Sequence, residues 1–97
     1  MLTQEEKKQL KALASVEKVK YQLGKNEISD TLLAMLDKAL TARELIKIDV
    51  MRSIDTPIME IALDLSSKLH SEVVQVVGKV IVLYRKNKDN PKIKFKK

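Results

Sequence analysis

The feature that most constrains this chain is the segment 73–85, Val-Val-Gln-Val-Val-Gly-Lys-Val-Ile-Val-Leu-Tyr-Arg. Its crowded β-branched side chains lose rotamer freedom in a helix but pack well on a pleated surface, so it predicts two strands. Gly78-Lys79 between them reads as the tight connection of a hairpin or of adjacent strands. So long an apolar run suits central strands covered on both faces, and the upstream chain must supply the covering layers. Tyr84 is expected at the core edge with its hydroxyl exposed.

The upstream pattern supplies helices and further strands. Thr3 begins a helix over residues 3–14, with Glu6 in the capping-box relation and a thin stripe of Leu10, Leu13 and Ala14. The charges Glu5, Glu6, Lys7, Lys8 and Lys11 fit a solvated face. From Val19 the period becomes two, with Tyr21 and Leu23 on one side and Lys20 and Gln22 on the other. Ser29 and Asp30 open a second helix striped by Leu32, Leu33, Leu36, Ala39 and Leu40. Ile46, Ile48 and Val50 alternate inward on the next strand, leaving Lys47 and Asp49 on the opposite, partly solvated face. Thr56 reads as a cap and Pro57 as the first residue of a third helix, which carries Ile58, Ile61, Ala62, Leu65 and Leu69 and ends near His70. The order is α-β-α-β-α-β-β, and the fold class is α/β (two-layer or three-layer α+β): a mixed four-stranded sheet with helices.

Composition removes whole classes of chemistry. With 97 residues the chain forms one domain, and without cysteine it has no disulfide or thiolate site. One histidine leaves no histidine-centred catalytic or metal constellation, so neither enzyme activity nor a metal or cofactor is expected. No run has transmembrane length, and a cytoplasmic protein without membrane contact, monomeric, is expected. The net charge of +6 is all held in residues 85–97, where Arg85, Lys86, Lys88, Lys92, Lys94, Lys96 and Lys97 face a single Asp89. Domain organisation is therefore a folded body, 1–86, and a basic tail, 87–97, expected to be flexible. Phe95 in that tail is a weak signal for base stacking.

The connection after the first strand, Gly24-Lys25-Asn26-Glu27, is the candidate binding element. A turn there brings the Lys25 ammonium, the Asn26 amide and the free N–H groups of a helix start together, a seat for one phosphate. Gly24 suggests a position where a side chain would obstruct or strain the backbone. An ordinary connection with a solvated lysine fits the same residues.

These residues also carry a family pattern. Residues 10–14 (Leu-Lys-Ala-Leu-Ala), 23–26 (Leu-Gly-Lys-Asn), 45–48 (Leu-Ile-Lys-Ile) and above all 76–85 resemble the small bacterial and archaeal single-domain CRM proteins, over about residues 3–86. The resemblance implies the fold of the C-terminal domain of a bacterial translation initiation factor, and association with precursors of the large ribosomal subunit. Its signature loop, glycine, two variable residues, glycine, is compared with the phosphate-gripping loop of KH domains. Gly24, Lys25 and Asn26 match the first three places; Glu27 stands at the second glycine, adding bulk and negative charge.

The expected function is non-enzymatic binding of ribosomal RNA, with 23S rRNA or a pre-50S particle as partner. The candidate RNA-binding residues are Gly24, Lys25, Asn26, Lys20, Lys47, Lys79, Arg85 and Lys86. The alternatives are a module docking on ribosomal or other proteins, and a general polyanion binder acting through its tail.

Overall fold

Local chemistry decides where each helix begins and stops. The computed structural model describes residues 2–18, 20–24, 28–51, 54–87, 89 and 93. Helix α1 runs Gln4–Val16, two residues beyond the expected end, with the Thr3–Glu6 capping box formed in both directions. Helix α2, Asp30–Arg43, starts at Ser29, whose hydroxyl accepts from the Leu32 N–H. Helix α3, Ile58–Leu69, starts one residue later than expected: Pro57, with extended ψ of 134°, is itself the N-cap, and its carbonyl accepts from Ile61. No side chain caps this helix. At its other end His70 is left-handed (φ 52°), and the Ser71 N–H closes back on the Ser66 carbonyl.

Strands β1 (Tyr21–Leu23), β2 (Leu45–Val50), β3 (Glu72–Val77) and β4 (Val80–Tyr84) form one sheet in the order β1-β2-β4-β3. The β1–β2 pair is parallel, as its α2 crossover requires, and the other two pairs are antiparallel. Gly78 takes φ 58° at the first central position of the two-residue β3–β4 turn, a place where glycine carries no Cβ penalty. Of the two strands in the constraining segment, β4 is central and β3 is an edge.

The sheet is covered on both faces, giving three layers. Ile46, Ile48, Val50, Ile81 and Leu83 point to α2 and α3, where Leu36, Leu40, Ile61, Leu65 and Leu69 complete the main core. Leu45, Val82 and Tyr84 point the other way, to Leu10 and Ala14 of α1. A register shift between Val73 and Gln75 lets Val74 join that second cluster while Val73 and Val76 pack on the first. Tyr84 is 4% exposed, deeper than a core-edge ring. Residues beyond the expected domain boundary also take part: Ile93 packs on the second cluster, and the Asn87 and Ile93 N–H groups donate to the buried Glu44 carboxylate at 2.7 and 2.6 Å.

Candidate nucleic-acid interface

Strand directions bring three backbone segments to one end of the sheet. Leu23 pairs with Val50 and Asp49 with Val80, so the end of β1, the end of β2 and the β3–β4 turn lie side by side. Hydrogen bonds fasten them: the Met51 N–H donates to the Leu23 carbonyl (3.1 Å) and the Val50 N–H to the Lys79 carbonyl (2.7 Å). The C-terminus of α1 reaches towards the same end, where the Lys47 ammonium donates to the Ala14 and Glu17 carbonyls (2.9 and 3.3 Å).

The expected site residues divide across this frame. Gly24 continues β1 at the fastened end, and Lys79 is exposed on the β3–β4 turn, across the end of β2 from it. Lys20 is exposed immediately before β1. Lys25 and Asn26, with Glu27, fall outside the described residues. Arg85 and Lys86 follow β4 at the opposite end, about 20 Å from Lys79 at the usual rise of a strand. The Arg85 guanidinium is held there by the Asp37 carboxylate (2.6 Å) and carbonyl (2.9 Å), the Thr41 hydroxyl (2.8 Å) and the Leu69 carbonyl (3.0 Å). It binds α2 and α3 to the end of β4, while Lys86 is exposed.

Two sequence expectations change in detail. Among the described residues, a Cβ added to Gly24 would meet the Met51 sulfur at 3.5 Å, an ordinary contact and not an obstruction. Lys47 is turned to the α1 layer, and two of its three N–H donors are taken by helix carbonyls. That positive charge matters because α1 has no basic residue in its own last turn. Among the described residues, Lys7, Lys8, Lys11, Lys20 and Lys79 make no ion pair. The α1 lysines were legible only as a solvated face; their spacing gave no sign of the strand beside them.

On the α2–α3 side, the fastened end is acidic, with Glu60 and Asp64 beside Leu23 and Ile28. Among the described residues no three histidine, cysteine or acidic side chains gather as a metal site, and no helix is long and apolar enough to cross a membrane.

Comparison with known proteins identifies the family. The model of the CRS1/YhbY (CRM) domain matches residues 2–85. The chain belongs to the CRM domain family. This CRM domain is 34% identical over 95 residues to a Bacillus subtilis protein named "Probable RNA-binding protein YqeI", covering 98% of the chain and 99% of the relative. It is 34% identical over 86 residues to "Probable RNA-binding protein PA4753" of Pseudomonas aeruginosa, covering 89% and 83%. The solution structure of SAV1595 from Staphylococcus aureus, named as a candidate RNA-binding protein, superposes on the CRM domain with a TM-score of 0.79 at 37% identity, over 99% of this chain and 100% of that one.

Proposed function

We propose that this CRM domain is a non-enzymatic RNA-binding protein, monomeric and cytoplasmic, that acts on ribosomal RNA in assembly of the large subunit, with 23S rRNA or the pre-50S particle as partner. The observation that supports the reading is the fastened sheet end, where Gly24 and the turn bearing Lys79 stand on either side of the end of β2, in a family whose relatives are named for RNA binding. A rigid frame presenting backbone donors and unpaired lysines positions phosphates with little reorganisation. In this reading Lys25 and Asn26, next in the chain, supply the phosphate seat, and the exposed Lys20 and Lys79 add positive charge. Lys47 acts by holding α1, and Lys86 adds charge at the far end. Structured RNA suits such a surface, since the sequence holds only three aromatic residues and one of them, Tyr84, is buried.

Crosslinking the tagged protein to RNA in cells, then sequencing the attached fragments, tests this. The expected result is sharp enrichment at one region of large-subunit precursor rRNA, weakened by Lys25→Ala or Lys79→Ala. A diffuse profile tracking RNA abundance would overturn the assembly role and leave a general polyanion binder.

A further inference from the structure

Beside the fastened end, a groove of about 230 Å³ opens between α1 and the β3–β4 hairpin. Its apolar floor is made by Ala14 of α1 and Val77, Val80 and Val82 of the hairpin. Val77 is 55% exposed, and it forms one continuous surface with the other three rather than an isolated apolar spot. The volume is below that of a drug-sized ligand site and suits one ring system. The Gln75 side chain enters the same groove, and its amide has no hydrogen-bond partner among the described residues. Such an amide offers both a donor and an acceptor to the edge of a ring.

Charge selects the kind of molecule that brings this ring. The groove is rimmed by Lys11 and continues along the same flank of α1 into an open trough lined by Lys7 and Lys8. Positions 4, 8, 11 and 15 of α1 line the groove and trough at helical spacing, so the lysines share one flank facing β3. Negative charge stands at the margins: Glu5 in the trough, and Asp49 in the β2 position opposite Val80. The lysines thus form a track for a polyanion between those acids.

We propose that this groove receives one unstacked nucleobase of a single-stranded RNA segment, with the phosphates on either side running along Lys7, Lys8 and Lys11. The proposal rests on the RNA-binding reading and adds the class of RNA: structured RNA with an unpaired nucleotide, rather than uninterrupted duplex. The aliphatic floor replaces the aromatic platform used by most single-strand readers. A paired base cannot enter, because its edge and both faces are already occupied in the helix.

The test compares the whole protein with its Ser15→Trp and Gln75→Leu variants. Ser15 is exposed, and its hydroxyl donates only to the Ala12 carbonyl of its own helix, so an indole there covers the floor without disturbing the core. The probes are a single-stranded oligoadenylate and a fully paired RNA duplex of equal length, titrated by fluorescence anisotropy at low salt. Methyl NMR follows Val77, Val80 and Val82. The single strand is expected to shift those methyls, and Ser15→Trp to weaken its binding roughly tenfold, the effect of removing one base from its platform, with duplex affinity unchanged. Gln75→Leu is expected to weaken the single strand by a few fold while leaving the floor intact. If the wild type binds both RNAs but its methyls do not move, or Ser15→Trp weakens both equally, the groove proposal is overturned and the RNA-binding reading stands. If the wild type binds neither RNA, both fall together.

Discussion

Glu44 concentrates the local conflicts of this molecule in one side chain. It is fully buried, it takes φ 65° at the C-cap of α2, and its two carboxylate oxygens accept from the N–H groups of Asn87 and Ile93. A left-handed residue with a Cβ costs roughly 1–2 kcal/mol, which charge-assisted bonds to two backbone donors offset. Glu44→Gln preserves the shape but turns an NH₂ group towards one of those donors. We expect a loss of about 1–3 kcal/mol, read as a lower thermal midpoint, with faster amide exchange at Asn87 and Ile93; unchanged exchange there would refute the anchoring role. Tyr84 sits in the same cluster, and burial first, then the carboxylates of Glu44, Glu6 and Glu72, raises its pKa above 10.0. The folded state therefore holds the phenolic proton more tightly than the unfolded state. Its contribution is complete below pH 10 and is lost as pH rises through the folded value. Tyr84→Phe should flatten the alkaline limb of a stability-versus-pH curve, and an unaltered limb would assign it to other groups. Arg43-Glu44 reads in the sequence only as the end of a helix; the partners of Glu44 lie 43 and 49 residues further on.

Helix α1 shows how one element depends on another. Thr3 and Glu6 make its start legible from two residues three positions apart, because a capping box is a local bond pair. Its end is not legible, since the cation that completes it is Lys47 of β2, 33 residues from Ala14. Strand alternation correctly placed Lys47 opposite Ile46 and Ile48, but not the helix that covers that face. Lys47→Met keeps the aliphatic stem and removes the donors. The expected cost is about 1 kcal/mol, with amide exchange accelerated in the last turns of α1 and unchanged in β2. Equal acceleration in both would mean that Lys47 acts through the sheet rather than through the helix terminus.

At the scale of the whole molecule, charge is spread over two ends with different duties. Arg85 fastens the helices at one end, exposed Lys79 stands at the other, and exposed Lys20 lies between them, just before the start of β1. The logarithm of RNA affinity against that of salt concentration should have a slope of roughly 3–6 in magnitude. Replacing Lys92, Lys94, Lys96 and Lys97 by glutamine should lower it by about 0.7–0.9 for each phosphate no longer neutralised; an unchanged slope removes the tail from the interface. Truncation after residue 86 is the poorer experiment, because it would strip Ile93 from the second cluster and take both N–H donors from Glu44.

The sequence by itself determined the element order, the two faces of β2, the tight connection at Gly78 and the capping of α1 and α2, because each rests on neighbouring residues or a short period. The resemblance of its closing motif to CRM proteins also identified the family. Only the tertiary structure decided that α1 lies alone on one face, that Arg85 and Lys79 stand at opposite ends, and that Glu44 binds the chain beyond β4. Those outcomes depend on strand order and on partners dozens of residues apart, and no local pattern encodes which of two solvated-looking lysines will meet a helix end and which will meet water.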